Sequence, residues 1–160
     1  MTPLRGEAVI LRPAMEADAQ GLAAIRATPE VYQRWGEPSD PDPDTQLYVI
    51  EHEGSVVGGI QWSAESDPQY RHAGIDIYLD PAVHGRGLGT DAVRTLARHL
   101  VIDHGHHRLV IDPAADNAAA IRCYSKVGFR AVGIMRRYEQ GPDGAWHDGL
   151  LMDLLAEELS

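Results

Sequence analysis

The chain has 160 residues, enough for a single domain (1–160) with a real core. Apolar residues make up 44% and charged residues 24%; no apolar run reaches membrane-spanning length and the N-terminus has no secretory pattern, so a cytoplasmic location away from membranes is expected. A formal net charge of -10 argues against nucleic acid and for a cationic partner, and the single Cys123 excludes an internal disulfide.

In chain order, a strand is expected over 8–12, stopped by Pro13. A helix follows over 16–27, with Leu22 and Ile25 facing the core and acidic residues in its first turn. Pro29 permits a short second helix over 30–34. Residues 35–45 read as an exposed, mobile loop with Pro38, Pro41 and Pro43. Two strands, 46–51 and 56–63, flank the turn Glu53-Gly54-Ser55, and 65–69 is a second acidic loop. A strand over 71–79 precedes a long helix over 88–103, which places Leu88, Ala92, Leu96 and Leu100 along one face. A short strand at 108–111 leads to a helix over 117–127 that ends at Gly128. Strands over 129–138 and 146–154 close the chain across Gly141-Pro142-Asp143-Gly144. This order gives an α/β class, a mixed sheet with helices on both faces.

Between the fourth strand and the long helix lies Val83-His84-Gly85-Arg86-Gly87-Leu88-Gly89-Thr90. Strand, glycine loop and helix together suit phosphate: glycine lets backbone approach closely, and the first helical N–H groups are unpaired donors at the positive end of the dipole. An ordinary glycine-rich turn is the competing reading. A nucleoside-triphosphate loop needs a lysine that is missing here, and a dinucleotide loop needs Gly-x-Gly-x-x-Gly, which Gly85, Gly87 and Gly89 do not satisfy. A second motif stands downstream: Asp112-Pro113, then Asn117, Tyr124 seven residues later, and Gly128-Phe129. Asn117, Ile121 and Tyr124 share one helical face.

The loop resembles Gln/Arg-x-x-Gly-x-Gly/Ala, the pyrophosphate loop of the GNAT superfamily of acyl-CoA-dependent N-acetyltransferases, with His84 where Gln or Arg is usual. The Asn–Tyr–Gly-Phe spacing is similar as well. Within the superfamily, Gly74-Ile75-Asp76, Asp112-Pro113 and Ala120-Ile121-Arg122-Cys123-Tyr124 are similar to the aminoglycoside 6'-N-acetyltransferases. The resemblance covers about 74–129 and is thin before Gln46. It implies the GNAT fold: a mixed, mostly antiparallel sheet flanked by helices, with acetyl-CoA lying between two splayed parallel strands that end near Leu79 and Asp112. It implies cofactor contacts from His84, Gly85, Arg86, Gly87, Leu88, Gly89 and Thr90, from the backbone near Ile77 and Leu79, and from Asn117 and Tyr124.

Asp76 stands in an apolar strand, where a carboxylate is costly to bury. Either it faces solvent, or it sits in the splay beside the acceptor amine and takes its proton, the role the resemblance implies. Asp112 is a turn aspartate or a second acceptor-site carboxylate. Tyr124 reads as a core aromatic on periodicity alone; the resemblance implies that it protonates the departing thiolate. Asn117 is a helix N-cap, a partner for the pantetheine arm, or both. Trp35 packs on the core or holds a sugar ring, with Glu37 beside it, and Glu65 and Asp67 are placed near the cleft mouth. His104, His106 and His107 read as a solvated cluster rather than a metal site, and nothing marks Cys123 as a nucleophile.

The resulting expectation is acetyl transfer from acetyl-CoA to a primary amine by direct attack, without a metal. The implied acceptor is the 6'-amine of an aminoglycoside, in a resistance role, handled by a monomer or homodimer. One alternative is a protein N-terminus, peptide or polyamine as acceptor. The remoter one is a non-catalytic acyl-CoA-binding module.

Overall fold

The structure is a computed structural model and describes residues 2–38 and 42–160. A single eight-stranded sheet runs through it: β1 (Leu4–Arg5), β2 (Ile10–Pro13), β3 (Gln46–His52), β4 (Ser55–Ala64), β5 (Ala73–Leu79), β6 (Arg108–Ile111), β7 (Arg130–Gln140) and β8 (Trp146–Leu155). The spatial order is β1-β2-β3-β4-β5-β6-β8-β7, antiparallel at every step except β5 to β6. Four helices complete it: α1 (Ala19–Arg26), α2 (Pro29–Trp35), α3 (Leu88–Ile102) and α4 (Ala118–Val127).

Most expected elements are present with ends moved by a residue or two. The strand expected over 8–12 is β2, and β1 beside it was too short to carry a pattern. The helix expected over 16–27 opens instead with a 3-10 turn at Glu16–Asp18 before α1 begins. Arg12 explains that start: it pairs with both oxygens of Asp18 at 2.8 Å and holds that carboxyl down to about 2. Asp18 Oδ2 also accepts from Met15 N, so the carboxylate fixes the chain entering the helix. Trp35, expected to open a loop, is the last residue of α2, and Pro41 lies outside the described residues.

Strand alternation sorts the core into two layers. Tyr48 and Ile50 of β3 join Leu11, Ile60, Ile75, Leu96 and Leu100 on the α3–α4 face. Val49 points the other way, to Leu22, Ile25, Val31 and Tyr78 beneath α1 and α2. The stripe Leu88, Ala92, Leu96 and Leu100 is 0–3% exposed, as its spacing required.

A carboxylate inside α3 ties the N-terminal strands to this core. Asp91 is buried and accepts from the backbone N–H groups of Glu7, Ala8 and Val9 at 3.0, 2.7 and 3.0 Å. The β1–β2 turn passes so close that a Cβ on Gly6 would lie 2.6 Å from Asp91 Oδ2 and from Thr95 Oγ1. Asp91→Ala leaves three donors without their acceptor and is expected to lower unfolding free energy by about 2 to 4 kcal/mol. Urea unfolding of the purified variant checks this; a loss too small to resolve would show that the turn is held by other contacts.

Candidate active site

The site begins where β5 and β6 part. Their parallel pairing consists of Ala73 with Leu109 and Gly74 with Val110. β6 ends at Ile111, before Asp112-Pro113, whereas β5 continues to Leu79. Asp80 N bonds to Val57 O in the β4–β5 register, so Tyr78 and Asp76 direct their peptide groups at β4. By alternation, the peptide groups of Ile77 and Leu79 face the gap.

The chain then turns through the glycine loop into α3. Gly85 and Gly87 hold φ of 80° and 77°, and Gly87 is the N-cap of the helix. Gly89 faces α4: a Cβ there would lie 3.4 Å from Cys123 Sγ. The first turn of α3 therefore opens into the splay with its N–H groups forward. A groove of ≈ 410 Å³ lies here, lined by Ile77, Leu79, the loop residues His84, Gly85, Gly87, Leu88, Gly89 and Thr90, and by Asn117, Cys123 and Tyr124 of α4 and its cap. His84 sets its Nε2 3.1 Å from Leu79 O. Thr90 donates to Cys123 Sγ at 3.2 Å and joins α3 to α4. Burial raises the Cys123 thiol, which suits packing rather than nucleophilic attack.

A second cavity of ≈ 200 Å³ adjoins the groove. Arg34, Trp35, Ile77, Asn117 and Tyr124 line both, so these five residues form the junction. Asp76, Asp112 and Glu139 bring three carboxylates to the second cavity. Asp76 has surface open to the cavity, yet the protein crowds it: burial first, then the charges of Asp112 and Glu139, push its carboxyl up to about 6. Burial and Asp112 likewise raise Glu139. Tyr124 is buried, and burial above all holds its phenol well above the ordinary range, so it keeps its proton at neutral pH.

Glu139 reaches the cavity through an irregularity in β7. Met135 pairs with Gly149 and Glu139 with His147, so three residues of β7 oppose Asp148 alone. Arg137 in this bulge has φ 48°, and its N–H is accepted by Asp148 Oδ1 at 2.8 Å. Tyr138 Oη donates to Asp112 Oδ2 at 2.6 Å, a bond that pushes its phenol up to about 12. Neither Glu139 nor Arg34 is marked by spacing: the one depends on a bulge, the other on how α2 docks. Arg34 pairs with Asp116 at 2.7 Å and links α2 to the segment before α4.

Some expected site residues lie elsewhere. Glu37 lines neither cavity: Gly36, with φ 71°, ends α2, and the Glu37 carboxylate turns back to accept from Tyr32 Oη at 3.1 Å. Glu65 and Asp67 line neither; they accept from Asp67 N and Gln69 N within their own loop. Arg86 is absent from the groove lining. Asn117 accepts from Ala120 N as an N-cap and also lines both cavities. His106 is buried at 4% exposure, contrary to a wholly solvated cluster, because Trp62 reaches the same sheet face and meets His104 and His106 ring to ring. No group of three or more metal-ligating side chains comes together among the described residues. No described helix is long and apolar enough to cross a membrane.

The model of the acetyltransferase (GNAT) family matches residues 14–129. Aminoglycoside N(6')-acetyltransferase type 1 of Klebsiella pneumoniae is 37% identical over 124 residues, covering 77% of this chain and 55% of its own. The chain thus spans about half the length of this relative and of its Serratia marcescens counterpart. Among solved structures, Mycobacterium smegmatis RimJ in complex with CoA-disulfide superposes with a TM-score of 0.85 at 27% identity, covering 99% of this chain and 88% of that one. AAC(6')-Ib in complex with Parmomycin and acetyl-CoA superposes with a TM-score of 0.78 at 26% identity, covering 95% and 96%.

The cavity electrostatics carry a test that needs no substrate. Carboxyl carbon NMR should find Asp76 titrating near pH 6. Asp112→Asn removes a neighbouring negative charge, so the titration should move towards the ordinary carboxylate range. An ordinary value in the wild-type protein, or no movement in the variant, would refute the shared cavity.

Proposed function

The chain belongs to the GNAT acetyltransferase family, and on that premise we propose that it transfers an acetyl group from acetyl-CoA to a primary amine, with the 6'-amine of an aminoglycoside as acceptor. The observation that carries this reading is the trio of carboxylates, Asp76, Asp112 and Glu139, in a cavity that shares its wall with a glycine-loop groove. Two neighbouring sites with opposite electrostatic character suit an anionic acyl donor and a polycationic acceptor. The 37% identity to an aminoglycoside N(6')-acetyltransferase supports the acceptor.

In this reading the loop from His84 to Thr90 offers N–H groups to the pyrophosphate, and the peptide groups of Ile77 and Leu79 hold the pantetheine arm as a short added strand. Asp76 accepts a proton from the bound ammonium, directly or through water, and leaves a neutral amine. The amine nitrogen attacks the thioester carbonyl; as the tetrahedral adduct collapses, the C–N bond is kept and the C–S bond breaks. Tyr124, still protonated, gives its proton to the departing thiolate and regains one from the adduct nitrogen through water, while Asp76 releases the other amine proton to solvent. The products are the acetylated amine and free CoA.

A second reading changes only the acceptor, to a protein N-terminus, a peptide or a polyamine; carboxylates receive any ammonium group, which supports it. A screen of kanamycin, a short free-amine peptide and spermidine with a thiol-detecting dye separates the readings. Aminoglycoside turnover is expected, and good peptide turnover without any aminoglycoside turnover would replace the first reading by the second.

Asp76→Asn should lower kcat roughly 100-fold, and Tyr124→Phe should lower kcat while leaving acetyl-CoA affinity nearly unchanged. Wild-type turnover in both variants, with chemistry rate-limiting, would remove the assigned roles. Gly87→Val should abolish tight acetyl-CoA binding by calorimetry. The φ of 77° at this position disfavours a branched side chain and would turn the first N–H groups of α3 out of line. Undiminished affinity in a folded variant would show that this loop does not receive the pyrophosphate.

A further inference from the structure

Trp35 lines both the groove and the carboxylate cavity, yet it is the last residue of a seven-residue helix and is followed by a glycine. Such a position has little rigidity of its own. Beside the Arg34–Asp116 pair and the apolar cluster of Leu22, Ile25, Val31, Val49 and Tyr78 against which Trp35 packs, Arg26 at the end of α1 grips it directly. Arg26 Nη2 donates to the carbonyls of Trp35, Gly36 and Glu37 at 3.5, 3.3 and 3.2 Å. These are acceptors at and beyond the negative end of α2, where a cation is favoured. The guanidinium carbon lies 4.9 Å from the Trp35 ring centroid and 5.5 Å from that of Tyr78. The two rings meet edge to face at 4.9 Å. Arg26 Nε is buried without a protein partner, so the guanidinium is spent on the carbonyls and the rings rather than on an ion pair. Arg26 itself lines neither cavity.

We propose that Arg26 is a positioning residue: by clamping the carbonyls of 35–37 and packing against the Trp35 and Tyr78 rings, it fixes the aromatic wall against which the acceptor is held. The proposal rests on the acceptor reading above only in taking the second cavity as the acceptor's. Trp35 contacts the acceptor and Arg26 acts through it. A planar fork that reaches several carbonyls while stacking on a ring is an arginine property, and lysine reproduces the charge without the fork.

The test is a double-mutant cycle on acceptor KM, with whichever amine the wild-type enzyme turns over fastest. Absence of aminoglycoside turnover would therefore count against the acceptor reading and leave this test intact. Arg26→Met should raise acceptor KM roughly tenfold with kcat and acetyl-CoA KM changed by less than about twofold. Arg26→Lys, which keeps the charge and guards against a misfolded Met variant, should fall between. In a Trp35→Ala background, either Arg26 change should alter acceptor KM by less than about twofold, because the wall it positions is gone. Acceptor KM unchanged in both folded Arg26 variants, equal rises in both KM values, or full additivity with Trp35→Ala would each overturn the proposal.

Discussion

The site depends on one failure of pairing. β5 and β6 share two residue pairs and then diverge, the last being Gly74 with Val110. Beyond Ile111 the chain stays on β8, with Leu150 N donating to Pro113 O and Ala114 bridging Gly149, so it leaves β5 alone to run on to Leu79. The peptide groups of Ile77 and Leu79 are left facing a gap, where among the described residues only the Leu79 carbonyl meets a side chain, His84, and unpaired backbone groups are tolerated only where water or a ligand can reach them. The eight residues 80–87 then bring the start of α3 to the mouth of that gap. A strand edge and a helix end, each with unused donors, thus face one space.

Across that space the electrostatics change sign within a few residues. On one side stand helical N–H groups and little fixed negative charge; on the other stand Asp76, Asp112 and Glu139. Tyr124 sits on the shared wall, and burial keeps its proton on. The same crowding keeps Asp76 near the midpoint of its titration at mildly acid pH. A group so poised can both hold a cation and accept a proton from it, whereas an ordinary surface aspartate is too weak a base to do the second well.

How much of this was legible in the sequence follows the range of the interactions. The stripe Leu88, Ala92, Leu96, Leu100, the turn at Glu53-Gly54 and the N-cap Asn117 are local patterns, and each is found where the pattern put it. Asp76 and Asp112 stand out in the sequence as carboxylates within and just after apolar strands, and both line the second cavity. Glu139 was not legible, since it enters the cavity only through a bulge that sets three residues against one. Glu37 was misplaced by local proximity: it follows Trp35 in the chain, but the positive φ of Gly36 turns it back on Tyr32. Asp91 gave no signal either, because its partners are backbone groups more than 80 residues away.

β7 ends the sheet, and nearly all its residues are solvent-exposed with no helix over them. Glu139, on the rim of the carboxylate cavity, belongs to this strand, whereas the glycine loop is braced by α3 and the main core. The two halves of the site therefore differ in mutational tolerance. A change in β7 disturbs no packed layer, so side chains there can vary with small effect on folding, while a change under the loop strikes the core directly. The carboxylate rim is thus the part of the site freest to drift, and the glycine loop is the part held in place.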